Sequence, residues 1–117
     1  MATVFISLSL ACSGAGVARA GAEANGTAPV LSPERVRALV HLVRQDCGSC
    51  HGITLQGGLG TPLLPETLEG RDADVLAEII LDGIPDTPMP PWRGQLSKAE
   101  ALWIARRLKE GFPHETP

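Results

Sequence analysis

Five consecutive residues, Cys47-Gly48-Ser49-Cys50-His51, constrain this chain more than anything else in it. Two thiols three residues apart can add to the two vinyl groups of a haem, and a histidine directly behind the second thiol reaches the iron as proximal ligand. The same thiols have other readings: a disulfide, a dithiol redox pair, or half of a zinc site. A thioredoxin-like pair follows a strand and opens a helix, whereas here a helical pattern precedes the motif and glycines follow it. Zinc asks for four ligands, and the chain's 3 Cys and 3 His do not form a second pair at metal spacing. One covalently attached haem c is the expected cofactor.

Composition points the same way. The chain has 117 residues, enough for one domain, and its aromatic residues are Trp92, Trp103, Phe112 and Phe5, with no tyrosine. A core that small and that poor in large side chains needs a disulfide, a metal or a prosthetic group to complete it. The formal net charge is −3, one unit more negative without Arg19, and no run of basic residues occurs. Binding to nucleic acid needs a dense positive footprint, so that class is excluded.

Residues 1–20 read as a signal peptide. Val4 to Cys12 has the length of an apolar h-region, and Ala18-Arg19-Ala20 is a small-x-small cleavage site, although no positive charge precedes the apolar run. The uninterrupted apolar stretch is too short for a transmembrane segment. Cys12 is read as a leader residue, with lipidation as the alternative. Residues 21–31 form a small, polar spacer whose Asn25-Gly26-Thr27 sequon carries no weight. Residues 32–113 form the folded domain, and residues 114–117 are a frayed tail.

Ser32-Pro33 starts a helix, with Ser as N-cap and Pro at the first helical position. Val36, Leu39, Val40 and Val43 then repeat at helical spacing, predicting a helix over 33–45 that stops at Asp46-Cys47-Gly48. A long glycine- and proline-bearing stretch comes next, costly to order unless it wraps something. Asp72 or its neighbour caps a second helix carrying Val75, Leu76, Ile79 and Ile80 on one side and ending at Gly83. Glu66 to Gly70 suits one extra helical turn. The prolines of Ile84 to Trp92 exclude helix there. Ser97-Lys98-Ala99-Glu100 is a capping box for a last helix with Ala101, Ile104, Ala105 and Leu108 inward and Trp103 on its flank. The expected fold is all-α, with three to four helices and long loops around the haem.

A sixth iron ligand must come from elsewhere. Beyond the leader the only methionine is Met89, set between prolines in Thr87-Pro88-Met89-Pro90-Pro91 and 38 residues after His51. A lone methionine is more often core filler, but this one lies off any helical stripe, in a segment stiffened to hold a thioether at fixed distance. His41, on the first helix, and His114, in the tail, are the alternatives. The proximal imidazole needs an acceptor for its other nitrogen, which points to a backbone carbonyl within Gly60 to Pro62. Trp92 and Arg93 are candidates for haem propionate contacts, against the plainer readings of a core aromatic and a solvated arginine. Gly57, Gly58 and Gly60 lack the ending and the strand–helix setting of a phosphate loop.

On these residues the chain resembles the class I cytochromes c over about Pro33 to Pro113. More narrowly, DCGSCHG at 46–52, GGLG at 57–60, the ILDG and TPMPPW runs within 80–92 and EALWIARRLKEGFP at 100–113 resemble the NirC-type small monohaem cytochromes of denitrifying bacteria. The resemblance implies thioether bonds at Cys47 and Cys50, with His51 and Met89 as iron ligands. It implies a periplasmic protein associated with cd-type nitrite reductase. The family's Gly-Pro after the glycines is here Gly60-Thr61-Pro62, which leaves the His51 acceptor open.

Three functions are compatible with these residues. With both axial positions filled, the chain is a monomeric electron carrier and not an enzyme, its partners being redox proteins and above all cd-type nitrite reductase. A displaceable sixth ligand would instead give a haem enzyme or ligand-binding protein. An accessory role in maturing the d-type haem of nitrite reductase is the third.

Overall fold

The computed structural model describes residues 30–112. The leader, Cys12, the Asn25 sequon and His114 lie outside them. Among the described residues the regular elements are all helical. None of the helices is long and apolar enough to cross a membrane.

Helix α1 (Pro33–Leu42) starts as its sequence dictates: Ser32 Oγ accepts the Arg35 N–H at 3.2 Å, and Pro33 occupies the first turn. The expected stop at Asp46-Cys47-Gly48 is not where the helix ends. The chain continues through a five-residue π-helical turn, Val43–Cys47, whose end is marked by the Gly48 N–H bonding to the Val43 carbonyl. It then runs straight into α2 (Gly48–His51), so the whole cysteine motif sits on the end of a helix. A π turn holds one more residue than an α turn, so the residues beyond it lag by about 100°, one residue's worth of helical rotation. That lag matters, because this sequence wound as a regular helix would place Cys47 and Cys50 on the stripe begun by Leu39 and Val43. Instead Gly48 is buried and both cysteines are only half-buried.

Helix α3 (Ala73–Asp82) is capped by the Asp72 carboxylate on the Asp74 N–H and stops at Gly83. Its buried face differs from the expected stripe. Ala77 and Leu81 are fully buried, Leu76 and Ile80 are half-buried, and Val75 is 57% exposed. Helix α4 (Lys98–Glu110) carries the complete capping box, with Ser97 Oγ on the Glu100 N–H and Glu100 Oε2 on the Ser97 N–H. Its Ala101, Ile104, Ala105 and Leu108 are buried as the spacing predicts. Alanines at 77, 101 and 105 keep bulk out of the α3–α4 contact.

The core joins these faces to Leu39, Val40 and Val43 of the first helix and its π turn, and to Leu55, Leu68, Leu96 and Phe112 from the loops. Leu68 enters from a turn in which its N–H meets the Leu64 and Pro65 carbonyls, a single turn that starts slightly before the one expected at Glu66 to Gly70. Trp103 stands beside Val36 and Val40 of α1, meets Phe112 edge-on at 6.4 Å and lies under the Arg107 guanidinium. Between the amino ends of α1 and α4, Arg35 Nε donates to Glu100 Oε1 at 2.5 Å.

Candidate functional site

The cysteine motif ends a helix, so its last carbonyls need donors. The glycine-rich loop supplies them: the Gly57 N–H bonds to His51 O at 2.8 Å and the Gly60 N–H to Cys50 O at 2.8 Å. The Gly58 N–H closes the loop onto Gly60 O, and the Leu63 N–H reaches back to Leu55 O. The glycines that resemble a phosphate cradle are thus used to fold the loop back against the motif. Leu55, buried at its centre, takes φ +58, an uncommon angle that its packing holds in place.

His51 is fixed by this loop. Its Nδ1 lies 2.6 Å from the Thr61 carbonyl oxygen. A carbonyl can only accept, so Nδ1 carries a proton and Nε2 is the nitrogen left for a metal. Within the window from Gly60 to Pro62, Thr61 is the acceptor. Gly60 has to be a glycine for this to happen. A Cβ there would lie 2.7 Å from both Cε1 and Nδ1 of the imidazole.

Cys47 and Cys50 are separate thiols. Burial, reinforced by the Asp46 carboxylate, pushes the Cys47 thiol up to about 11. Ser49 Oγ donates to the Asp46 carbonyl at 2.6 Å, tightening the turn between the two cysteines. Among the described residues no three His, Cys, Asp or Glu side chains converge as a metal-binding group, so the zinc alternative has no donor set there.

Met89 sits in a loop that leaves α3 at Gly83 and returns to the same helix end. The Ile84 N–H bonds to Met89 O at 3.3 Å, the Thr87 hydroxyl donates to Ile84 O at 2.7 Å, and the Met89 N–H donates to Thr87 Oγ1 at 3.3 Å. The Trp92 N–H meets the Ile80 and Leu81 carbonyls, and the Arg93 N–H meets Leu81 O at 3.0 Å. These donors satisfy the open carbonyls of α3. The loop passes so close to Gly83 that a Cβ there would meet Met89 O at 2.7 Å and Pro91 N at 2.8 Å. The glycine that ends the helix also gives the methionine loop its passage.

The two neighbours of that loop part ways. Trp92 is half-buried against the core. Arg93 faces α3, with Nε donating to Asp82 Oδ1 at 2.8 Å and Nη2 to Glu78 Oε2 at 3.0 Å. Lys98 of α4 joins through Glu78 Oε1 at 2.9 Å. Lys98 and Arg93 hold the Glu78 carboxyl below its usual range, and Asp82 and Glu78 raise the Arg93 guanidinium. Sequence reasoning missed this cluster, although Glu78 and Asp82 stand four apart on one helix face. His41, the alternative ligand, is exposed on α1.

The motif's donors suit a haem, being two free thiols and an imidazole whose protonated nitrogen is committed, and the Met89 thioether stands on a separate loop. Exposed apolar side chains flank these donors in sequence, with Ile53 at 80%, Leu59 at 77% and Ile84 at 45%.

Comparison with known proteins agrees. The profile of the family described as "Cytochrome C oxidase, cbb3-type, subunit III" matches residues 34–106. Cytochrome c55X of Paracoccus denitrificans is 52% identical over 85 residues, which are 71% of this chain and 82% of that protein. The solved structure of the c-type cytochrome NirC superposes with a TM-score of 0.68 at 50% identity, covering 70% of this chain and 96% of NirC. The structure of dihydro-heme d1 dehydrogenase NirN in complex with DHE gives a TM-score of 0.57 at 39% identity over 66% of this chain, yet only 17% of that enzyme is covered. The fold, the motif and these likenesses together place the chain in the matched family, among the small electron-transfer c-type cytochromes related to cytochrome c55X and NirC.

Proposed function

We propose that this chain is a periplasmic electron carrier with one covalently attached haem c, and that it supplies electrons to cd-type nitrite reductase. In this reading Cys47 and Cys50 form the thioether bonds, and His51 and Met89 are the axial iron ligands. The observation that carries it is the His51–Thr61 bond, which orients the imidazole and leaves Nε2 free directly behind two unpaired thiols. When bound, the haem supplies a one-electron ferric–ferrous couple whose potential a thioether ligand raises.

The chain's own residues do the rest. Thr61 keeps the proton on Nδ1, Gly60 lets the ring lie against the backbone, and the bonds around Thr87 hold Met89 in place. Filling both axial positions leaves no site for a substrate, in keeping with a carrier. Trp92 stays a candidate for a propionate contact, whereas Arg93 is engaged by Asp82 and Glu78. The export signal over residues 1–20, the spacer to 31, the domain over 32–113 and the monomeric state belong to the same proposal.

The likeness to part of dihydro-heme d1 dehydrogenase favours a second reading, an accessory role in maturing d-type haem. One experiment separates the two. The exported protein is purified, its haem challenged with acid-acetone, and the reduced form mixed anaerobically with oxidised nitrite reductase. Retained haem and oxidation of the cytochrome by the reductase are expected. Extractable haem overturns the attachment. Absent electron transfer, together with a deletion strain whose reductase polypeptide lacks d-type haem, moves the maturation role ahead.

A further inference from the structure

The chain leaves α3 at Asp82 and comes back to it at Arg93, and these two residues are paired. Arg93 Nε and Nη2 both reach Asp82 Oδ1, at 2.8 and 2.7 Å, while Nη2 also meets Glu78 Oε2 at 3.0 Å. The fork of the guanidinium suits two carboxylates one helical turn apart. Everything between the pair, residues 83–92, is the loop that carries Met89, and its crossing at Gly83 already leaves no room for a side chain.

We propose that Arg93, Asp82 and Glu78 form a clasp that closes the Met89 loop, making Arg93 a positioning residue that sets how readily the sixth coordination position opens. The inference rests on Met89 being the iron ligand. Loop ends held together lose little further entropy when the loop takes its working shape, whereas free ends must lose it each time. The clasp lies at the surface, with Arg93 55% and Asp82 58% exposed, so its strength is modest and salt-sensitive. A latch of that strength permits rare opening without allowing the loop to wander.

The test uses the purified haem-loaded protein and follows carbon monoxide binding to the ferrous form, which requires the sixth position to open. Carbon monoxide is uncharged, so salt acts on its binding only through the protein. Arg93→Gln removes the fork but keeps the backbone N–H to Leu81 O. It is expected to speed binding by up to about fivefold, the ceiling for a surface ion pair, and to lose the sulfur-to-ferric-iron band at lower urea than its helical signal. Arg93→Lys recovers part of the effect, because one charge remains without the fork. In the unmodified protein, raising salt from about 10 mM to about 1 M shortens the screening length from ~30 Å to ~3 Å and speeds binding. That dependence disappears in Arg93→Gln.

Asp82→Asn combined with Arg93→Gln is expected to add nothing beyond Arg93→Gln alone, since the two act as one latch. Additive effects in the double variant, equal binding rates in Arg93→Gln and the parent, or a band lost together with the helices overturn the clasp. If Met89→Ala also fails to speed binding, the ligand assignment itself has failed. If Met89→Ala speeds it and Arg93→Gln does not, only the clasp has.

Discussion

Glu100 uses both oxygens at once, Oε1 accepting from Arg35 Nε at 2.5 Å and Oε2 from the Ser97 N–H at 2.8 Å. One carboxylate thereby starts α4 and ties it to the beginning of α1. The Arg35 guanidinium, helped by Ser97, holds the Glu100 carboxyl down at about 2. A carboxyl depressed on folding binds protons more readily in the unfolded chain, so its contribution is complete above the unfolded value near 4.5 and fades as pH falls toward 2. Urea titrations between pH 7 and pH 2 are expected to show that loss. Glu100→Gln should flatten this part of the profile, and Glu100→Ala should cost about 1 kcal/mol at pH 7 through the lost bonds from Arg35 Nε and the Ser97 N–H, while the Ser97 Oγ cap stays.

Gly60→Ala tests the bond between His51 and Thr61. The new methyl would occupy space 2.7 Å from the ring, so the ring must turn and release the Thr61 carbonyl. An imidazole that no longer donates from Nδ1 is a poorer electron donor to iron, which favours the ferrous state. The expected result is a higher redox midpoint with covalent attachment intact, read by spectroelectrochemical titration. An unchanged midpoint would mean that the carbonyl does not tune the ligand.

Met89→Ala should leave the haem attached, since Cys47, Cys50 and His51 are untouched. It should abolish the weak sulfur-to-ferric-iron band and lower the potential, because water favours ferric iron more than a thioether does. Ferrous protein should then take up carbon monoxide readily. A six-coordinate low-spin iron that survives in Met89→Ala but is lost in His41→Ala or His114→Ala would make the protein a bis-histidine cytochrome.

Ile53 and Ile84 test where the proposed redox partner docks. Both are exposed, one just past the motif and the other at the start of the methionine loop. Transient redox pairs bury less than roughly 1,200 Å² in total, so a single charge in the contact should be felt. Ile53→Glu and Ile84→Glu are expected to slow the bimolecular reaction with nitrite reductase at unchanged optical spectrum, measured by stopped flow. Unaltered rates for both would place the contact elsewhere.

The parts of this molecule governed by local chemistry are readable in advance. Ser32 with Pro33, Asp72, Gly83 and the Ser97–Glu100 box mark helix ends because each satisfies or removes a backbone group within a few residues. Ile104 and Leu108 fall inward from spacing alone. Spacing does not reveal the α3 face, because Val75 and Ala77 are sorted by where α4 lies rather than by the apolar pattern of α3. The π turn is equally hidden. Its Val43–Gly48 bond depends on how the helix end meets the glycine loop, and no residue preference announces it. Within the site, local pattern narrows the His51 acceptor to three residues, and the fold of the Gly57–Gly60 loop selects Thr61. Arg93 is legible as a charge beside Met89 but not as the partner of Asp82 and Glu78, since that pairing requires the loop to return to its own helix.

The Val43–Cys47 turn makes residue count and rotational phase separate quantities in the first helix. Up to its first residue, Leu39, Val40 and Val43 face the core; beyond the turn, the inward position falls to Gly48. A chain lacking the exposed Gln45 could wind through as regular α-helix and still present Gly48 inward and both thiols on their present side, because the surplus residue is what the wider turn absorbs. Such a chain would differ from this one by a gap in an alignment and by nothing in which side its two thiols face. Distance along the sequence from core stripe to attachment motif is therefore a poor ruler for cytochromes built this way, and the hydrogen-bond register of the turn is the better one.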